Sequence, residues 1–130
     1  MTLTLEFLPC KLKIYKFNPD YNFSEIILEC KNDKFFSITK TDNELSIVTS
    51  KVLNDYKEVD EGWMVFRVKG QLDFSLVGIL SKISSLLAQE SISIFAISTY
   101  DTDYILFKEE KLEQVKIALM RNDYHITDEK

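Results

Sequence analysis

The stretch GWMVFRVKG at 62–70 alternates, with Trp63, Val65 and Arg67 on one face and Met64, Phe66 and Val68 on the other. That pattern predicts a strand bounded by two glycines. From Asp73 to Gln89 the period changes, and Leu76, Ile79, Leu80, Ile83, Leu86 and Leu87 recur at the three- and four-residue spacing of an amphipathic helix. Asp73 or Ser75 can supply its N-cap oxygen. Residues 92–99 return to strand character, with Ile92, Ile94 and Ala96 on one face and Phe95 and Ile97 on the other. Both faces are therefore apolar. The short polar residues of Tyr100–Asp103 suit a hairpin turn, and YILF at 104–107 predicts the returning antiparallel strand. A second helix over Glu109–Arg121 turns Leu112, Val115, Ala118 and Leu119 inward, with Glu109 and Glu110 near its positive end. YHI at 124–126 predicts a short last strand. The order is βαββαβ, the ferredoxin-like arrangement.

The same pattern is written twice. Aligning Phe36 with Phe95 also pairs Ile38 with Ile97, Asp42 with Asp101 and Glu44 with Asp103, and LKIYKF at 12–17 resembles WMVFRV at 63–68. Such a repeat implies two copies of one unit. The first copy predicts a strand over 11–17, a short helix over Ser24–Cys30 and strands near 35–40 and 44–49. Its remaining stretch, SKVLNDYKEVDEG, is charged and turn-like after Leu53. The N-terminal copy is the shortened one. The expected division is a degenerate module at 1–60 and a full module at 61–130, with the boundary near Glu61, in an α+β chain of tandem ferredoxin-like modules.

Composition narrows the chemistry. The chain has 130 residues, 45% of them hydrophobic, and a net charge of −5 from 16 basic and 21 acidic residues. These are the proportions of a globular protein. No apolar run approaches the roughly 20 residues of a membrane-spanning helix, and MTLTLEFLPCKLK lacks the basic and apolar regions of a signal peptide, so a cytoplasmic protein is expected. Lys and Arg gather into no dense patch, which argues against nucleic acid as a partner. Cys10 and Cys30 lack metal-like spacing, and His125 stands alone near the C-terminus. The DTD string at 101–103 is too short a signal for a metal site beside a hairpin reading. No catalytic constellation, metal or cofactor is expected, and the chain does not read as an enzyme.

Two segments carry a family resemblance. LDFSLVGIL at 72–80 and ISIFAISTYDTDYIL at 92–106 resemble the C-terminal half of small ACT-domain proteins and are similar to ACT modules of aspartate kinases and of the eukaryotic cytosolic arginine sensor. FFSITKTDNELSIV at 35–48 resembles the degenerate N-terminal module of the same proteins. The resemblance implies a regulatory or sensing protein that binds a small molecule, usually an amino acid, at the interface of two ACT units. It carries the ligand site onto Asp73, Phe74, Ser75, Leu76 and Val77 at the helix start. It adds Ile94, Phe95, Ala96, Ile97, Ser98 and Thr99 on the strand of a neighbouring module, with Thr102 and Asp103 of the turn. Unlike in the kinases, an attached catalytic domain is not expected here.

The chemistry of such a site is consistent with these residues. N–H groups opening the helix around Ser75–Val77 could take a carboxylate, and strand carbonyls near Ile97 with Asp73 or Asp103 could take an ammonium. Asp73 and Ser75 equally suit plain N-capping, and Asp101–Asp103 plain turn chemistry. A ligand-free domain that acts only by dimerising or by protein contact is the alternative. A homodimer is expected under either reading, because a strand apolar on both faces needs a partner beyond its own helices.

Overall fold

The computed structural model describes residues 3–69 and 78–130. The elements run β1 (Thr4–Phe7), β2 (Leu12–Phe17), α1 (Ser24–Cys30), β3 (Ser37–Lys40), β4 (Leu45–Thr49), β5 (Glu58–Val68), α2 (Ile79–Gln89), β6 (Ile94–Ser98), β7 (Asp103–Lys108), α3 (Leu112–Arg121) and β8 (His125–Asp128). A single 3-10 turn at Glu109–Lys111 leads into α3. The fold is α+β, built from two ferredoxin-like modules of which the first is truncated. Two compact units divide the chain: Met1–Pro9 together with Trp63–Lys130, and Cys10–Gly62.

In the larger unit β5, α2, β6, β7, α3 and β8 follow the expected βαββαβ order, but the sheet contains one strand more. β1 lies between β5 and β8, antiparallel to β5 with Leu5 opposite Val68 and Phe7 opposite Phe66. It runs parallel to β8, with Leu5 opposite Ile126. The last strand therefore pairs with the first strand of the chain, and Met1–Pro9 belongs with the later module. The cause is alternation: Leu5 and Phe7 are buried in the core of this unit. Phe7 stacks on Phe66 with centroids 5.1 Å apart and meets Phe107 edge-on at 5.8 Å. Ile83 and Leu87 of α2 and Val115, Ala118 and Leu119 of α3 close that core. Opposite in register on the two strands, Arg67 Nε and Nη2 both lie 2.8 Å from Glu6 Oε1, an ion pair that fastens β1 to β5.

The smaller unit is βαββ. β4 pairs with β2, Tyr15 opposite Ile47, and with β3, Ile38 opposite Ile47. Ile26 and Cys30 of the short helix pack on Tyr15, Phe17, Leu45, Ile47 and Leu53. Where a second helix would follow, the chain folds back as an irregular segment. The Tyr15 hydroxyl donates to the Lys51 carbonyl at 2.9 Å and accepts from the Leu53 N–H at 3.0 Å. Leu53 plugs the core at 3% exposure, and Asp55 takes a left-handed conformation (φ 66°) that no helix interior tolerates. A carboxylate clip secures the end of β4. Asp33 accepts from the Thr49 hydroxyl at 2.5 Å, the Ser50 N–H at 2.7 Å and the Ser50 hydroxyl at 2.5 Å.

Candidate functional site

The residues assigned by resemblance fall into two groups. Asp73, Phe74, Ser75, Leu76 and Val77 lie outside the described residues. The remainder form the β6–β7 hairpin. Its two-residue connection, Tyr100–Asp101, is closed by the Thr99 N–H donating to the Thr102 carbonyl at 2.8 Å and reinforced by the Thr99 hydroxyl to the same oxygen at 3.0 Å. Thr102 is 4% exposed, and its hydroxyl donates to the Val68 carbonyl at 2.7 Å, tying the hairpin to the end of β5. Ser98 donates to the Asp103 carboxylate at 2.5 Å. The hydroxyl protons of Thr102 and Ser98 are thus engaged, the first on β5 and the second inside the hairpin, while the Asp103 carboxylate stays partly exposed.

The strand itself offers more. β6 pairs with β7 alone among the described residues, Phe95 opposite Leu106 and Ile97 opposite Tyr104. In an antiparallel ladder bonded and non-bonded pairs alternate. Because Thr99 and Thr102 form a bonded pair, Ile97 and Phe95 also point their backbone groups at β7. Ile94, Ala96 and Ser98 then direct N–H and C=O outward along the sheet edge. Side chains sort differently from backbone. Ile94 packs against the core under the helices, and Phe95 meets the Trp63 ring edge-on at 6.4 Å. Lys108 lies over that same Trp63 ring at 4.9 Å. Ala96 and Ser98 are exposed. The edge therefore combines outward backbone donors and acceptors with a half-buried apolar flank at Phe95 and Ile97.

At the start of α2 the described chain begins with Gly78, which serves as N-cap in a left-handed conformation (φ 84°). A side chain there would meet no atom within 4 Å, so the conformation alone accounts for glycine. Among the described residues no group of three or more His, Cys, Asp or Glu could hold a metal ion. Among the same residues no helix is long and apolar enough to cross a membrane. Cys30 is fully buried, and burial pushes its thiol pKa up, the opposite of an activated nucleophile. Sequence reasoning missed the outward direction of Ile94, Ala96 and Ser98, since backbone direction follows from which hairpin pair is bonded. The two-residue turn at Tyr100–Asp101 was the signal that could have fixed it.

Comparison with known proteins adds the relatives. A family model, the ACT domain, matches residues 58–121. A crystal structure of a protein from Agobacterium tumefaciens superposes with a TM-score of 0.87 at 29% identity, covering 100% of this chain and 96% of that one. Aspartokinase alpha and beta subunits share the fold at a TM-score of 0.68 and 18% identity, over 93% of this chain and 97% of theirs. The regulatory subunit of aspartate kinase from Thermus thermophilus, in its ligand-free form, does so at 0.59 and 10%, over 86% and 92%. No curated protein matches the chain.

Proposed function

This chain carries an ACT domain over residues 58–121, and from that premise we propose that it is a regulatory protein that binds a small molecule, an amino acid, where two ACT modules meet. The observation that carries the reading is the outer edge of β6, which pairs with no other strand among the described residues. Its outward N–H and C=O groups at Ile94, Ala96 and Ser98 match the needs of an ammonium and a carboxylate held beside a strand. The half-buried Phe95 and Ile97 supply apolar contact on the same element. In this reading the second wall comes from Asp73–Val77 of a neighbouring module in a homodimer, residues that precede the Gly78 cap of α2 and do not themselves cap it, against the expectation for Asp73 or Ser75. The domain type is regulatory, and the chain works by changing its association or its contacts on binding, not by catalysis.

The same edge would also serve a ligand-free dimer, because unpaired strand edges recruit other strands. Thermal unfolding of the protein with each of the twenty amino acids separates the two readings. A ligand that binds only the native state at about 100 times its Kd stabilises by roughly 2.7 kcal/mol, several degrees for a chain of this size. Amino-acid binding predicts such a rise for one or a few of them. A flat response to all twenty would leave only the dimerisation reading.

A further inference from the structure

We propose that a cleft in the larger unit, between α2 and the turn joining α3 to β8, is a second binding site that takes a short zwitterionic peptide of two or three residues with apolar side chains. It is separate from the β6 edge. The cleft has a volume of about 720 Å³, within the roughly 300–1,000 Å³ of small-molecule sites. Its floor is apolar: Leu3, Ile79, Leu86 and the Tyr124 ring are half-buried side chains that rest on the core beneath. Its two walls carry opposite charge, Lys82 on α2 and Asp123 in the turn.

These polar groups are not spent on one another. Among the described residues Lys82 makes no ion pair, and neither the Asp123 carboxylate nor the Tyr124 hydroxyl has a hydrogen-bond partner. The nearby charges Arg121 and Glu90 are already matched to each other, with Nη1 and Oε1 3.9 Å apart. The Tyr124 hydroxyl, protonated at neutral pH as an ordinary phenol is, can act as a donor, and burial raises its pKa further. A ligand with one anionic and one cationic end would satisfy both walls, its carboxylate at Lys82 and its ammonium at Asp123.

Length selects among zwitterions. Lys82, Ser85, Leu86 and Gln89 follow one stripe of α2, seven helical steps that rise roughly 10 Å. The Glu90–Arg121 pair links the Gln89 end of that stripe to the end of α3, two residues before Asp123. An extended peptide covers about 3.3–3.6 Å per residue, so about three residues match the stripe. The Ser85 hydroxyl and Gln89 amide along it would meet the peptide's own backbone groups. A single amino acid would leave most of the floor uncovered.

Titrating trileucine into the ¹⁵N-labelled full chain tests this. Chemical shifts should move at Ser81–Gln89 and Asn122–Tyr124. Lys82→Gln and Asp123→Asn should each weaken binding about tenfold or more, since a hydrogen bond to a charged group contributes roughly 1.5–3 kcal/mol. Asparagine also tolerates the left-handed backbone at position 123 (φ 69°), so that variant removes charge without strain. Acetylated and amidated trileucine should bind at least tenfold more weakly than the free peptide. The proposal is overturned by any of four results: no shifts up to about 10 mM peptide, shifts confined to β6, unchanged affinity in both variants, or equal affinity of the capped peptide.

Discussion

At the scale of single residues the clearest consequence belongs to Asp33. Burial alone would raise its pKa, but hydrogen bonds from Ser50 and Thr49 outweigh it and hold the carboxyl below its ordinary value of 3.8. A carboxylate depressed on folding contributes stability at neutral pH that is lost as pH falls through its folded value. Asp33→Asn should therefore destabilise the chain by about 1–3 kcal/mol at pH 7, and by less at pH 3, as read by urea unfolding. An equal loss at both pH values would show that the charge is not what matters. Thr102→Val leaves the Val68 carbonyl without its donor and should cost about 1–3 kcal/mol by the same measurement. Neither role was readable from sequence. Asp33 sits in a polar KNDK run, its partners at Thr49 and Ser50 lie far along the chain, and Thr102 looked like ordinary turn chemistry. Side chains that reach across the fold leave no local signature.

Elements were the readable level. Strands and helices of both copies follow from alternation and three-to-four spacing because burial of one face imposes the period. β1 escaped because LTLEF is brief, lies at the end of the chain and belongs to neither repeat. For β6 the pattern predicted apolar character on both faces but not which backbone groups face outward. That geometry makes a sharp test possible. Ala96→Pro removes an outward N–H while sparing the bonds to β7, which come from Phe95 and Ile97. If the proposed homodimer forms through this edge, the folded variant should sediment as a monomer at micromolar concentration and the parent as a dimer, and the variant should lose any stabilisation by amino acids. A variant that dimerises as before would place the association surface elsewhere. How much of the candidate site was readable divides at the same place: the strand half is in the described structure, and the Asp73–Val77 half is outside it.

Over the whole molecule, fold class, repeat and the β6–β7 hairpin were readable and more distant strand pairings were not, since periodicity says which face is buried but not against what. β1 is the case in point. Deleting Met1–Phe7 should lower thermal stability well beyond a surface trimming, because Leu5 and Phe7 each lose burial worth about 1.5–3 kcal/mol. Differential scanning calorimetry of that variant checks it, and an unchanged melting temperature would contradict the packing described. The position of β1 also orders biosynthesis. On the ribosome it emerges well before the strands on either side of it, β5 and β8. Residues Cys10–Gly62 are contiguous and can collapse early, while Leu5 and Phe7 wait uncovered until β5 and β8 have been made. Long-range pairing of this kind is slow and exposed to aggregation. In pulse-labelled refolding, the amides of Leu5 and Phe7 should gain protection among the last, and nascent chains stalled before β8 should be the ones that recruit chaperones.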